Sequence, residues 1–176
     1  MAYADRRLAP AERWDMIEIT PSRTTDHAAI WEIIGPVIRQ GETYTLPTDM
    51  TEFDAVQYWT GADRHCYVAK DGEQVVGTYY LRANQLGGGA HVANCGYMSH
   101  ELARGRGVAR AMCKHSLREA ARLGFLAMQF NFVVETNQAA IHLWRAMGFE
   151  QVGRLPSAFR RPTGAYVDAL VMFRRL

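Results

Sequence analysis

The stretch Arg104-Gly105-Arg106-Gly107-Val108-Ala109-Arg110 carries the densest chemical signal in the chain. It falls between a predicted strand and a predicted helix. A glycine-rich turn in that position aims free backbone N–H groups outward at the positive end of the helix dipole. Such a turn is an anion site and suits a pyrophosphate. Gly105 and Gly107 let phosphate oxygens approach the backbone with no Cβ in the way. Arg104 and Arg106 can add charge-assisted hydrogen bonds to the same group. Two common phosphate folds do not fit. A dinucleotide fingerprint needs a glycine or alanine at position 110, where Arg110 stands, and no Gly-x-x-x-x-Gly-Lys-Ser/Thr loop occurs.

The helix after the turn places Arg106, Arg110, Lys114, Arg118 and Arg122 four residues apart, opposite Ala109, Met112, Leu117, Ala120 and Leu123. Beyond the turn itself this stripe reads as a solvated face. Twenty Lys and Arg against 18 Asp and Glu leave a net charge of +2, and no aromatics interleave the stripe. Nucleic acid is therefore not an expected partner. The three cysteines, Cys66, Cys95 and Cys113, form no Cys-x-x-Cys pair and no Cys/His cluster, so no metal is expected. Cys95 reads as a small buried hydrophobe and not as a nucleophile. The chain lacks a signal-peptide apolar region, and its apolar runs fall far short of the ~20 residues that cross a bilayer. A cytoplasmic protein with no membrane partner is the expectation.

These residues must be positioned by the rest of a 176-residue chain, a length that predicts a single domain. Apolar residues make up 48% and charged residues 22%, which is ordinary globular usage. Residues 1–13 read as a flexible tail and 14–176 as the domain. A strand is predicted over 16–20. A helix follows to about Gln40, with Pro36 predicting a kink or an early break. Thr51-Glu52-Phe53-Asp54 opens a short second helix that ends at Gly61. Strands fit 65–70, 74–82 and 90–98, with Asp71-Gly72 as a hairpin turn. A helix spans 105–123. Residues 125–134 form a nearly continuous apolar run, as in a central buried strand. A helix over 137–147 and strands over 150–153 and 166–173 complete the pattern, with 155–164 read as turns. The order βααβββαβαββ predicts a mixed α/β domain, one sheet with helices packed on it.

Arg104, Gly107 and Ala109 fill the Arg/Gln-x-x-Gly-x-Gly/Ala turn of the GCN5-related N-acetyltransferases. A second block, Asn137 to Phe149, resembles the Asn-x-x-Ala…Leu-Tyr-x-x-x-Gly-Phe helix of that family. The resemblance covers roughly residues 14–175. It implies a mixed, mostly antiparallel sheet, with helices on both faces, splayed between the strand ending near Met98 and the strand at 126–134. Acetyl-CoA would enter the splay. Its contacts would be Tyr97, Met98, Ser99, Arg104, Gly105, Arg106, Gly107, Val108, Ala109, Asn137 and Trp144. A bulge in the first of these strands would free a backbone amide, that of Tyr97, to hold the thioester oxygen. Where many relatives carry a tyrosine that protonates the leaving sulfur, this chain has Trp144, whose indole is no acid at neutral pH.

Three further stretches, 92–98, 128–137 and 153–156, resemble the fungal azetidine-2-carboxylate and proline-analogue N-acetyltransferases and their bacterial relatives. That resemblance implies a detoxifying homodimer that acetylates a small cyclic imino acid. Asn94 would recognise the acceptor, and the backbone amides of Asn131 and Phe132 would hold its carboxylate. Asn137 would assist departure of the sulfur by hydrogen bonding. The residues also have plain readings. Asn94 and Asn131 interrupt apolar strands and need partners if buried, and Asn137 sits where a helix N-cap belongs. Glu135, Glu42, His100, Glu101 and a water chain all remain open as the base, and His142 reads as structural. Tyr44, Trp31, Phe53 and Trp59 fall on the segments expected to cover the acceptor mouth, or in the core. The acids Glu42, Asp49, Glu52 and Asp54 keep a polyamine acceptor open, and Trp144 keeps a non-catalytic acyl-CoA-binding module open.

Overall fold

The computed structural model describes residues 17–176. The predicted tail and Met16 lie outside the described residues. Among the described residues seven strands form one sheet in the order β1-β2-β3-β4-β5-β7-β6. They are β1 Ile17–Pro21, β2 His65–Asp71, β3 Gln74–Ala83, β4 Val92–Ser99, β5 Ala127–Val134, β6 Glu150–Arg160 and β7 Tyr166–Arg175. Four helices cover it: α1 His27–Gln40, α2 Glu52–Thr60, α3 Val108–Arg122 and α4 Gln138–Ala146. All strand pairs are antiparallel except β4 with β5, so the sheet is mixed, as expected. Among the described residues no helix is long and apolar enough to cross a membrane.

Alternation along the central strands builds two cores. Val68, Tyr80 and Met98 face α1 and α2 and meet Ile30, Ile34, Ile38 and Trp59. Tyr67, Tyr79, Leu81 and Cys95 face the other way and meet Met112, Cys113 and Leu117 of α3 and Ile141 and Trp144 of α4. The period of two in the strands and of 3.6 in the helices places these sets back to back. Trp59 is fully buried and donates from Nε1 to the Thr78 hydroxyl at 2.9 Å, so its polar edge is satisfied.

The helix ends follow their sequence signals. Thr51 caps α2 by accepting from the Asp54 amide at 3.1 Å. Gly41, at φ 62°, closes α1 in the left-handed conformation. Of the kink or early break expected at Pro36, the break does not occur, and α1 runs to Gln40 as expected. Pro36 lies on the exposed side, where the carbonyl it leaves unpaired can meet solvent, while Ile34 and Ile38 hold the helix down. The stretch read as turns over 155–164 is largely strand, since β6 extends to Arg160. Pro156 and Ser157 sit inside a register irregularity between Leu155 and Phe159, and Ser157 has φ 50°. An edge strand tolerates such a bulge, so turn-forming residues interrupt the ladder without ending it.

Candidate active site

β4 and β5 pair only at Val92↔Ala127 and Ala93↔Met128. Beyond those two pairs the strands part. At the apex the Asn94 side chain donates from Nδ2 to the Gln129 carbonyl at 2.9 Å, where a ladder bond would otherwise lie. Asn94 is buried and meets its need for a partner by stapling the two strands.

A free amide in β4 arises differently from the expectation. β3 and β4 pair in continuous register from Gly77↔Ser99 to Ala83↔Ala93, with no bulge. The splay itself removes the partner strand. The Tyr97 carbonyl accepts from the Tyr44 hydroxyl at 2.8 Å, so it faces away from β3. In an extended strand a residue's N–H and C=O leave on the same edge, so the Tyr97 amide also points into the gap. The bulge lies in β5 instead. Its register with β7 shifts between Phe130 and Val133, which leaves Asn131 and Phe132 outside the ladder on that side.

Two cavities meet in the gap. One, of about 530 Å³, runs from Tyr97 and Ser99 past Arg104, Gly105 and Gly107 to Val108 and Ala109, with α1 and α4 as its other walls. Gly107 is the N-cap of α3 at φ 77°, and Gly105 has φ 74°. The first bond of the helix runs from the Ala111 amide to the Gly107 carbonyl at 2.9 Å. The amides of Val108, Ala109 and Arg110 therefore have no partner within the helix. They open on this cavity at the positive end of α3, which fits the diphosphate of a coenzyme A.

The second cavity, of about 260 Å³, lies between β3, β4 and β5 and the 43–45 loop, with Asn94, Asn131, Phe132 and Asn137 in its lining. Both cavities touch Tyr97, Ala140 and Trp144. A group carried in one can thus meet a group held in the other.

Most of the expected coenzyme contacts converge on the first cavity. Three are placed differently. Met98 points into the core between the sheet and α1. Arg106 is ion-paired with Asp71 at the end of β2, so its guanidinium is already engaged. Asn137 lines the second cavity, and its Oδ1 accepts from the Ala140 amide at 3.2 Å as the N-cap of α4. That bond leaves the Asn137 NH2 group free of the cap. Trp144 is buried, with its ring centroid 5.0 Å from that of Tyr97 and 4.9 Å from that of Phe130. The Tyr97 hydroxyl points away from the gap and hydrogen-bonds Ser116 of α3 at 2.6 Å. The Asn131 side chain is exposed and tied to Gln129 and Asn84, so only its backbone faces the question of acceptor binding.

Burial pushes the Tyr44 and Tyr97 phenols and the Cys95 thiol well above their usual pKa values. All three stay protonated, so Cys95 is no nucleophile. Two of the candidate bases are ion-paired. Glu135 pairs with Arg154 at 2.6 Å and Glu42 with Arg161 at 2.9 Å. His100 accepts from the Leu102 amide, and it and Glu101 border the coenzyme cavity. His142 is exposed, as is Phe53, and Trp59 lies in the core and not at the mouth. Among the described residues no cluster of His, Cys, Asp and Glu has the makings of a metal site. Tyr44, expected at the acceptor mouth, lines the acceptor-side cavity together with Tyr58, Tyr80 and Arg82, three residues to which the sequence assigns no role. Arg82 did carry a signal, since it is a charge following the apolar run Tyr79-Tyr80-Leu81.

Known proteins match this arrangement. The family model described as the acetyltransferase (GNAT) family matches residues 26–149. N-acetyltransferase aca1 of Schizosaccharomyces pombe is 26% identical over 151 residues, which span 76% of this chain and 72% of that protein. The structure of a GCN5-related N-acetyltransferase from Kribbella flavida superposes with a TM-score of 0.86 at 37% identity, covering 92% of this chain and 99% of that one. A phosphinothricin acetyltransferase from Sinorhizobium meliloti, solved in complex with AcCoA, shares the fold at a TM-score of 0.81 and 23% identity, covering 92% and 89% of the two chains. With the splayed sheet and the open-amide turn in place, these matches make the chain a member of the acetyltransferase (GNAT) family and an N-acetyltransferase.

Proposed function

We propose that the protein transfers the acetyl group of acetyl-CoA directly to the nitrogen of a small cyclic imino acid, of the azetidine-2-carboxylate or proline-analogue kind. The observation that carries this reading is the meeting of the two cavities at Tyr97 and Trp144, with room on the acceptor side for only a small molecule. The open turn at 104–109 binds the diphosphate. The Tyr97 amide receives the thioester oxygen, where negative charge grows as the amine attacks. The C–N bond forms, the C–S bond breaks, and the amine loses one proton. Among the described residues no carboxylate or imidazole lines the acceptor cavity, so that proton leaves through water at the mouth. The free NH2 of Asn137 donates to the departing sulfur, which removes the need for an acid at Trp144. The amides of Asn131 and Phe132, at the irregularity in the β5–β7 register, receive the carboxylate, beside Asn94.

A polyamine fits this cavity less well. Glu42 is paired with Arg161, Asp54 accepts from the Thr51 hydroxyl, and neither they nor Asp49 and Glu52 line it. The resemblance also carries the expectation of a cytoplasmic homodimer, which light scattering and fractionation would check.

The test is thiol release from acetyl-CoA with azetidine-2-carboxylate, proline analogues and a polyamine set. Turnover on the cyclic acids is expected. Asn137→Ala should lower kcat, and Asn137→Asp, which keeps the cap but loses the NH2 donor, should lower it as well. Asn94→Ala should raise the acceptor KM. Turnover confined to polyamines would overturn the substrate assignment.

A further inference from the structure

Among the described residues eighteen line the acceptor cavity, and of these Arg82 alone is charged. Arg82 lies on β3 directly opposite Asn94 of β4, so the two side chains share one face of the sheet. Its Nη1 donates to Asp63 Oδ2 at 3.2 Å, and its Nε is buried with no hydrogen-bond partner. A buried N–H on a cation is costly to leave unpaired. Behind it stands a second guanidinium. Arg64 has a side chain only 7% exposed, and its Nε and one Nη are also buried without a hydrogen bond. Its Cζ lies 4.0 Å from the ring centroid of Tyr58 and 4.5 Å from that of Tyr80, two rings that line the cavity.

Two guanidiniums therefore share one carboxylate. Asp63 is 3.4 Å from Arg64 and 3.2 Å from Arg82, and its own side chain is 62% exposed. Burial works against the Asp63 anion, but the Arg82 hydrogen bond and the Arg64 charge outweigh it and hold its pKa below the ordinary range. Even fully ionised, one carboxylate leaves the group a net cation. This corner of the cavity is short of an anion.

We propose that Arg82 is the residue that selects the acceptor by its acid group, binding that group's negative charge beside Asn94 at the inner end of the cavity. The proposal rests on reading this cavity as the acceptor site. It adds to the backbone amides of β5 the charge that they lack, since amides give direction and a guanidinium gives direction and charge. It also names what the site rejects, namely amines without an acid group, polyamines among them.

The experiment compares each cyclic amine as its carboxylic acid and as its carboxamide, in the wild type, Arg82→Gln and Arg82→Lys. The wild type should prefer the acid. Arg82→Gln should lower that preference by about 10- to 100-fold with the acetyl-CoA KM unchanged, and Arg82→Lys should restore part of it. An unchanged acetyl-CoA KM also shows that the variant is folded. A second readout does not depend on turnover. Tetrahydrofuran-2-carboxylate has no amine to acetylate, and it should raise the melting temperature of the wild type but not of Arg82→Gln, while its carboxamide should do neither. Acid preference retained in Arg82→Gln, or wild-type preference for the carboxamide or for polyamines, would overturn the role of Arg82. Stabilisation by the acid that depends on Arg82, without turnover of any cyclic amine, would uphold Arg82 and overturn the imino-acid substrate.

Discussion

Gly96 stands on the strand that forms one wall of the acceptor cavity, and replacing it with alanine isolates how tightly that wall is built. A Cβ at this position would lie 2.7 Å from Cε1, 2.9 Å from Cζ and 3.1 Å from the hydroxyl of Tyr80. Ordinary contact starts at 3.4 Å, so the ring or the strand must yield by about 0.7 Å, the difference between 3.4 and 2.7 Å. The ring has little freedom. Its centroid is 4.9 Å from that of Trp59, and Arg64 lies over its face at 4.5 Å. Gly96 is not in the left-handed region, so alanine meets no backbone strain and even gains about 0.4–1 kcal/mol from a less disordered unfolded chain. Overpacking of this kind costs about 1–3 kcal/mol and wins. In a domain of this size each kcal/mol moves the melting temperature by about 2–4 °C. The assay is thermal unfolding of Gly96→Ala, Tyr80→Leu and the double variant. Tyr80→Leu removes the ring that the new methyl strikes, so Gly96→Ala should cost much less in that background than in the wild type. The acceptor KM should rise in Gly96→Ala, because Tyr80 lines the acceptor cavity and not the coenzyme cavity. Equal costs of Gly96→Ala in both backgrounds, or no cost at all, would refute the reasoning.

Other residues give sharper tests of single roles. Tyr97→Phe should lose about 0.5–1.5 kcal/mol of stability through its bond to Ser116, with kcat near that of the wild type, because the amide and not the hydroxyl faces the gap. Unfolding and steady-state rates measured on the same preparation would check this. All three cysteines are buried, and burial pushes the Cys113 thiol up to about 12. A chromogenic disulfide reagent near pH 8 should therefore label the folded protein very slowly and all three thiols in denaturant. Burial opposes the charge of Asp26, but the Arg23 amide and Lys70, 3.2 Å away, outweigh it and hold its pKa below 3.8. The stability it contributes is present above pH 3.8 and is lost as pH falls through the lower folded-state value. Asp26→Asn should thus be less stable than the wild type near pH 7, with a gap in melting temperature that narrows as the pH falls below 3.8 and through the folded-state value.

Much of this architecture is written in local signals. The succession of strands and helices along the chain, the Thr51 cap, the Gly41 stop and the turn at Gly105 and Gly107 each depend on neighbours a few residues away, and each is found where the sequence places it. Pro36 and Pro156 mislead because their cost depends on exposure and on being at a sheet edge, which are tertiary facts. The gap at the active site is tertiary too. The freed amide of Tyr97 comes from a parting of β4 and β5, and nothing in the residues 95–99 says that their partner will be missing. Asn94 and Asn137 were legible as polar residues with a choice of roles. The structure gives each a structural bond, at Gln129 and Ala140, and leaves each in the cavity lining. The stacking of Arg64 and the bond made by the Tyr44 hydroxyl have no sequence signal, because a cation stacked on two rings and a hydroxyl bonded to a strand 53 residues away exist only once the chain is closed.

The two-residue seam between β4 and β5 has a mechanical meaning. The sheet consists of two plates, one of four strands and one of three, hinged along Val92 and Ala93 and pinned by Asn94. From the pin outward β4 runs another five residues to Ser99, about 17 Å of free edge at strand rise. Over that length no ladder fixes the distance between the plates. Their angle is set by what bridges the open end, Trp144 of α4 against Tyr97 of β4 and Phe130 of β5, and by whatever occupies the space between. Such a joint is stiff at the pin and compliant at the rim. The inner end of the opening therefore acts as a fixed gauge for the acceptor, while the outer end can close on molecules of different thickness.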